Sequence, residues 1–213
     1  MTGGMPVPEG CHLVNHPLAR VGVATLRNRQ TSLTAFRQAL RELTVLVGCE
    51  AMRDLETETV PIESPIAACE GHTLKHPLVV IPILRAGLGM AEALLSLAPG
   101  ARVGHVGLAR DEVTFEPHSY YFKTPPLEHA DVFVADPMLA TGQSAVDTLD
   151  KLKTCGAKRL RIVALIGSRQ GVTLLRTRHP DVPIFLTALD SDLNEKAYIV
   201  PGLGDAGDRY FGT

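Results

Sequence analysis

Five short runs rich in valine and isoleucine most constrain what this chain can fold into. They lie at 78–83, 102–108, 131–135, 160–166 and 183–188. Most are separated by stretches of helical character, at 88–97, 144–155 and 171–178. Continuous apolar strands that alternate with helices predict a mostly parallel sheet covered by helices on both faces. In such α/β folds, ligands bind beside the carboxyl ends of the strands, just after residues 83, 108, 135 and 188.

The remaining segments give weaker signals. Residues 1–17 are rich in Gly and Pro and predict an irregular lead-in. Ser32 is a good N-cap for a helix that runs to about Leu55, whose apolar face carries Leu33, Phe36, Leu40, Leu43 and Val47. Residues 58–63 alternate polar and apolar side chains and predict a short edge strand interrupted by Pro61. Residues 110–126 have no helical period and predict a hairpin or a flap.

Length and charge restrict the class of protein. The 213 residues suffice for one α/β domain, and a second would be cramped. A net charge of −2 offers no general attraction to nucleic acid or an anionic membrane. Four cysteines without a CxxC pair suit a reducing cytosol. With no signal peptide and no apolar run long enough to span a bilayer, the expected location is the cytoplasm.

The segment Val132–Ser144 carries the clearest chemistry. An apolar strand ends in Asp136, a tight loop follows, and Ser144 opens a helix. Backbone N–H groups of 140–143 would converge on an anion at the helix N-terminus, where the helix dipole assists. Asp136 can accept hydrogen bonds from sugar hydroxyls, so the segment predicts a sugar-phosphate socket. A simple turn followed by an N-capping serine explains the same residues about equally well. The segment is not a Walker A loop, because that motif needs a lysine after its second glycine and this chain has Gln143 there.

The sequence Asp-Pro-Met-Leu-Ala-Thr-Gly at 136–142 resembles the phosphoribosyl pyrophosphate motif of type I phosphoribosyltransferases. Most of that family has two adjacent acids, whereas Pro137 is typical of the uracil-specific branch. That branch usually has a second Gly after Thr-Gly, and here the residue is Gln143. If that position requires a positive φ, Gln143 would be strained and substrate binding weakened.

Two further segments resemble the family's pyrophosphate-binding elements. Residues 82–90 (PILRAGLGM) present Arg85, whose planar guanidinium suits phosphate oxygens, and Gly87 allows close approach of the backbone. The resemblance implies a non-proline cis peptide bond in this loop. Residues 104–112 are similar to the second element, with Arg110 as the ligand. Either arginine alone could equally be a solvent-exposed surface charge with no ligand. Two arginines at the ends of neighbouring strands argue against that alternative.

The C-terminal segment 194–213 closely resembles the base-binding tail of uracil phosphoribosyltransferases. The resemblance implies that backbone groups near Ile199, Gly204 and Ala206 read the edge of uracil and that Asp205 faces the phosphoribosyl substrate. Backbone reading is chemically reasonable, because uracil alternates carbonyl acceptors with an N–H donor. A rigid loop would reject cytosine by leaving a polar group unpaired.

Taken together, the resemblance implies a type I phosphoribosyltransferase fold in residues 1–213: a central, mostly parallel five-stranded sheet flanked by helices. A flap at about 110–126 and a C-terminal hood at about 190–213 would complete it. The implied reaction transfers the phosphoribosyl group of 5-phospho-α-D-ribose 1-diphosphate (PRPP) to uracil, giving UMP and pyrophosphate. The implied partners are uracil, PRPP with bound Mg²⁺, a GTP effector, and further copies of the chain in a homodimer or homotetramer.

The implied site has three groups of residues and no protein metal ligand. The catalytic residues are Asp136, Arg110 and Asp205. The PRPP-binding residues are Arg85, Arg110, Asp136, Pro137, Met138, Leu139, Ala140, Thr141, Gly142, Gln143, Ser144 and Asp205. The uracil-binding residues are Ile199, Gly204, Asp205 and Ala206.

Three alternatives keep the fold and change the role. A regulator that binds PRPP and RNA is disfavoured by the slightly acidic charge and the lack of a basic stripe. A purine phosphoribosyltransferase is disfavoured by the C-terminal segment 194–213, because purine enzymes of this fold lack the sequence found at 198–206. A catalytically silent homologue stays open because of Gln143.

Overall fold

The computed structural model describes residues 6–110 and 117–213, without the side chains of 108–110 and 117–119. The described residues form fifteen strands. These are β1 (Cys11–Leu13), β2 (Thr57–Glu63), β3 (Ala68–Leu74), β4 (Leu78–Leu84), β5 (Arg102–Val103), β6 (His105–Arg110), β7 (Pro117–Lys123), β8 (Asp131–Ala135), β9 (Met138–Leu139), β10 (Arg159–Val163), β11 (Ile166–Ser168), β12 (Ile184–Leu186), β13 (Ala188–Asp190), β14 (Asp192–Leu193) and β15 (Ile199–Val200).

Six helices accompany these strands in the described ranges. They are α1 (Pro17–Arg27), α2 (Leu33–Ala51), α3 (Leu88–Leu97), α4 (Gln143–Thr154), α5 (Arg169–Arg178) and α6 (Ala206–Phe211). None of them is long and apolar enough to cross a membrane.

The predicted α/β fold with a mostly parallel sheet is confirmed. The central sheet has the order β1-β12-β10-β8-β4-β6-β7, with β5 also paired to β4. Every pairing in it is parallel except β6 with β7. The five predicted runs form its centre, and the count of five was too low. The sheet has eight strands because β1 and β7 extend its two edges and the run at 102–108 divides into β5 and β6.

Alternate residues of the central strands pack on opposite faces of the sheet. Val79 and Ile81 of β4 belong to a core cluster with residues of α4 and α5. Leu78 and Val80 belong to a second cluster with residues of α1, α2 and α3. Because side chains of a strand point alternately to its two faces, a strand covered on both sides must be apolar throughout. This accounts for the continuous runs in the sequence.

Helix α2 begins as predicted and ends earlier. Ser32 Oγ accepts a hydrogen bond from the Ala35 N–H at 3.3 Å, as an N-cap does. Four of the five predicted apolar positions are buried, whereas Leu33 in the first turn is 39% exposed. The helix ends at Ala51, not near Leu55, and residues 52–54 form a turn.

Of two further predictions about the first half of the chain, one is wrong and one is confirmed. The lead-in at 1–17 is not irregular throughout, because β1 pairs in parallel with β12 and helix α1 begins at Pro17. The short edge strand predicted at 58–63 is confirmed as β2, although Pro61 lies within the strand and does not interrupt it. Its residues lie outside the central sheet. They form an antiparallel hairpin with β3, in which Pro61 stands opposite Glu70 and no residue is buried. The sequence of β3 has no apolar run that would have revealed it.

The predicted hairpin at 110–126 agrees with the described part of that segment. Strand β7 runs antiparallel to β6, with a register shift between Gly107 and Leu108. Residues 111–116 lie outside the described residues.

Candidate active site

The loop that follows β8 is fixed by hydrogen bonds to the next strand of the sheet. The Asp136 N–H donates to the Val163 carbonyl at 3.2 Å. The Pro137 carbonyl accepts from the amides of Leu165 and Ile166, each at 3.1 Å. Met138 and Leu139 then pair with β11 as strand β9. The loop is therefore anchored at the carboxyl end of the sheet, where the sequence predicted the chemistry.

The turn from this loop into α4 depends on Gly142. Its φ is +82°, and a Cβ there would lie 2.6 Å from the Gly171 carbonyl oxygen. Gly142, at the N-cap, offers no side chain to the first turn of α4, although the Gln143 N–H donates to Thr141 Oγ1 at 3.4 Å. The recess in front of it is lined by Asp136, Met138, Leu139, Ala140, Thr141, Gly142, Ser144 and Ala145. A helix N-terminus of this kind suits an anion, through both its amides and its dipole.

Gln143 does not have the strained backbone that would follow if its position required a positive φ. The positive φ belongs to Gly142, and among the described non-glycine residues only Ala197 has one. Gln143 is the first residue of α4, and its Nε2 donates to Asp147 Oδ1 at 2.8 Å. The side chain is thus held along its own helix by an i,i+4 pair.

Ser168 supports the loop between β8 and α4, a role that the sequence analysis did not predict. Its buried hydroxyl donates to the Ala140 carbonyl at 2.5 Å and accepts from the Gly171 N–H at 2.9 Å. It caps α5 while fixing the carbonyl that precedes Thr141. A serine just before a helical stretch signals the cap, but no local pattern signals the contact with Ala140.

Asp136 has an unusual environment for a carboxyl group. The pKa of Asp136 is raised from 3.8 to about 7, mainly by burial; the hydrogen bond from the Met138 amide opposes this shift, and the nearby Asp205 charge adds to it. That bond is long, at 3.4 Å. A carboxyl whose pKa is shifted by burial and a like charge, beside a recess, is a typical feature of functional sites.

The C-terminal hood forms a second recess beside the first. Its volume is about 320 Å³, and it is lined by Met138, Ala140, Lys196, Ala197, Tyr198, Ile199 and Asp205. Met138 and Ala140 line both recesses, so the two are adjacent. Asp205 Oδ1 accepts from the Asp208 N–H at 2.9 Å and caps α6. Gly204 precedes it with a φ of +81°, and Ala206 is buried behind it.

The loop after β4 lies against the hood. The peptide bond between Leu84 and Arg85 is cis, as the resemblance implied. The Arg85 side chain is largely exposed, and its Nη2 lies 3.2 Å from Asp208 Oδ1. A Cβ on Gly87 would lie 2.4 Å from the Ala135 carbonyl oxygen, so the loop packs tightly on the end of β8.

The structure therefore brings together most of the predicted site residues. All the predicted residues from Asp136 to Ser144 except Pro137 and Gln143 line the first recess. Ile199 to Ala206 form or adjoin the second, and Arg85 reaches the hood helix. Arg110 ends strand β6; its side chain lies outside the described residues.

Comparison with solved structures identifies the fold. A hypoxanthine phosphoribosyltransferase of Staphylococcus aureus superposes with a TM-score of 0.52 at 15% identity, covering 74% of this chain and 76% of that one. A purine phosphoribosyltransferase of Pyrococcus horikoshii gives 0.50 at 16% identity, over 70% and 82%. Likenesses at this level of identity concern the fold. The fold is that of the type I phosphoribosyltransferases.

Sequence comparison places the chain more narrowly. The family model for uracil phosphoribosyltransferase matches residues 13–213. Uracil phosphoribosyltransferases of Caulobacter and of Streptococcus pneumoniae are 50% and 49% identical, over 96% and 94% of this chain and 99% and 97% of theirs. A solved protein of Aquifex aeolicus superposes with a TM-score of 0.91 at 35% identity, over 95% and 98%. The chain belongs to the uracil phosphoribosyltransferase family.

Proposed function

We infer that the protein transfers the phosphoribosyl group of PRPP to uracil, releasing UMP and pyrophosphate, as a step of pyrimidine salvage. The observation that carries this inference is the adjacency of two recesses that share Met138 and Ala140. One offers a helix N-terminus to a phosphate, and the other offers the backbone of the hood to a flat base. A substrate that spans both would place its anomeric carbon near Asp136.

In the proposed mechanism, the 5′-phosphate is held by residues 140–144 and uracil by backbone groups near Ile199, Gly204 and Ala206. The bond from the anomeric carbon to pyrophosphate breaks as the bond to the uracil nitrogen forms, through an oxocarbenium-like transition state. The Asp136 carboxylate orients the ribose hydroxyls and stabilises the positive charge on the ring. Asp205 faces the same substrate. Because the pKa of Asp136 is about 7, its ionised form is well populated at neutral pH.

Pyrophosphate leaves with a large negative charge, and in this proposal Arg85 and Arg110 neutralise it. In support, Arg85 follows β4 and Arg110 ends β6, and these two strands are paired. Mg²⁺ bound to PRPP supplies further charge neutralisation. The described residues contain no group of three or more His, Cys, Asp or Glu side chains able to enclose an ion. As the resemblance implies, the ion would enter bound to PRPP.

Three finer points belong to the same proposal. We infer one domain over 1–213, since both core clusters pack on one sheet. Residues 110–126 would close over the substrates and exclude water. The four cysteines are free, which supports a cytoplasmic enzyme. A homodimer or homotetramer and activation by GTP stay as expectations from the resemblance.

The direct test is turnover of the purified protein with PRPP, Mg²⁺ and a panel of bases, each with and without GTP. Chromatography of the products should show UMP from uracil and no nucleotide from cytosine or purines. Binding of PRPP without any product would favour a regulatory or silent homologue instead. A higher rate with GTP would establish the effector.

A further inference from the structure

The loop that joins β15 to α6 is held from behind by two arginines that do not line either recess. Arg27 comes from the last turn of α1, and Arg209 comes from α6. Between them they bind the carbonyls of Gly202 and Leu203. These two residues lie between Ile199 and Gly204, whose backbone is proposed to read uracil.

Arg27 forms a closed network with Asp190 and Gly202. Its Nη2 lies 2.6 Å from Asp190 Oδ1, and its Nη1 donates to Asp190 Oδ2 at 2.8 Å. The same Nη1 donates to the Gly202 carbonyl at 3.1 Å, while Asp190 Oδ2 accepts from the Gly202 N–H at 3.1 Å. Both polar groups of the Gly202 backbone are therefore bound by one ion pair. Asp190 is only 8% exposed, so its charge depends on this partner.

Arg209 makes the reciprocal connection to the end of α1. Its Nη1 donates to the carbonyls of Leu203, at 2.7 Å, and Leu26, and its Nη2 donates to the Asn28 carbonyl at 2.7 Å. The carbonyls at a helix C-terminus lack partners within the helix. The guanidinium also lies over the Phe36 ring, 4.4 Å from its centroid. Arg27 of α1 thus donates to the hood, and Arg209 of the hood donates to the end of α1.

We propose that Arg27 and Asp190 are positioning residues that set the orientation of the uracil-reading backbone. The inference rests on the proposed role of the hood in base binding. A loop that recognises a base through peptide groups has no side chains to adjust its fit, so its peptide planes must be fixed beforehand. Gly202 and Gly204, with φ of +57° and +81°, cannot fix them alone, because glycine has the widest conformational freedom. The ion pair fixes the middle of the loop.

The experiment compares Arg27→Met, Arg27→Lys and Asp190→Asn with a control, Arg37→Met. Arg37 also joins a helix to the hood, but its hydrogen bond, from Nε to the Tyr210 carbonyl at 2.8 Å, and its ring contact are both with Tyr210, which lies outside 199–205. For the Arg27 and Asp190 variants, KM for uracil should rise roughly tenfold, the usual loss for a charge-assisted hydrogen bond. KM for PRPP should stay within about twofold, and Arg27→Lys should be intermediate.

A second readout needs no catalysis. Hydrogen exchange of the Gly202 amide, which Asp190 now protects, should accelerate in Asp190→Asn and stay unchanged in Arg37→Met. Equal rises of both KM values, or a folded Arg27→Lys with unchanged uracil KM, would overturn the proposal. If Arg27→Met does not fold, Arg27→Lys decides. Failure of the wild-type protein to form UMP would instead refute the proposed function, and the exchange experiment would still test the contact.

Discussion

Asp136 ends a buried strand, and its position determines its electrostatics. The main chain at 136 and 137 is bound to residues 163, 165 and 166, which fixes where the carboxyl group leaves the backbone. Asp205 adds a second negative charge nearby. A bound substrate that brings hydroxyl groups and a developing positive charge would relieve this unfavourable environment. The free protein therefore holds Asp136 in a state that substrate binding improves.

Replacing Asp136 by Asn removes the negative charge and keeps nearly the same side-chain shape, so it tests the contribution of the charge. We expect kcat to fall by about two to four orders of magnitude, because the amide cannot stabilise a positive ring. KM for PRPP should change little, since residues 140–144 stay in place. Steady-state kinetics with circular dichroism as a control for folding would measure this. Near-normal turnover would remove Asp136 from the mechanism.

The same residue predicts how stability depends on pH. The folded protein keeps the Asp136 proton up to about pH 7, whereas an unfolded chain releases it near 3.8. The stability that this proton contributes is complete below about pH 4 and is lost as pH rises to 7. Relative to the wild type, Asp136→Asn should therefore gain about 4 kcal/mol between pH 4 and 8, in urea unfolding without substrate. A constant difference between the two proteins across that range would show that the pKa is not raised.

At the scale of elements, the junction between β9 and α4 depends on close contact with α5. Gly142 and Gly171 face each other, and a Cβ on Gly171 would lie 2.4 Å from the Ala140 carbonyl oxygen. Ser168 joins the same two segments. The first recess, at the N-terminus of α4, therefore lies where α4 and α5 begin side by side. The starts of the two helices are tightly packed against each other.

Gly142→Ala tests this junction. Its Cβ would meet backbone, which cannot give way, and its φ of +82° disfavours alanine. We expect a loss of about 2–4 kcal/mol in unfolding free energy and a higher KM for PRPP. Gly100→Ala is the matched control, because nothing lies within 4 Å of its Cβ position. Similar stabilities for the two variants would contradict the account.

At the scale of the whole molecule, the two edges of the central sheet are formed by different segments: β7 at one edge and β1 at the other. β7 belongs to the proposed flap at 110–126, whereas β1 closes the other edge by pairing with β12. Burial raises the pKa of the Cys11 thiol on β1 to about 11, against the opposing charge of Arg176. The other three cysteines are exposed. Cys11 is therefore a natural reporter of whether this edge stays closed.

In a variant with Cys49, Cys69 and Cys155 replaced by Ser, the remaining thiol should react with Ellman's reagent only at the rate of unfolding. A buried thiol of high pKa has almost no reactive thiolate in the native state. The rate should rise steeply in denaturant, in parallel with the loss of circular dichroism. Rapid reaction in native buffer would mean that β1 detaches on its own.

The sequence determined the features of this protein that depend on local chemistry. The apolar runs predicted the parallel sheet because a strand buried on both faces cannot alternate polar and apolar residues. The Asp136–Ser144 segment and the hood were recognisable because each is a continuous stretch whose backbone forms the site. Ser32 predicted the start of α2 for the same reason, as a cap acts within one turn.

Contacts between distant segments were decided only by the tertiary structure. Strands β1 and β3 carry too few apolar residues to be read as strands, and each depends on a partner that the sequence does not indicate. Nothing near Arg27 shows that it binds Asp190, 163 residues away, or that Ser168 holds Ala140. The strain expected at Gln143 was settled in the same way, because the turn assigns the positive φ to Gly142. Local rules fix which residues form an element, whereas the choice of partner depends on how all the elements pack together.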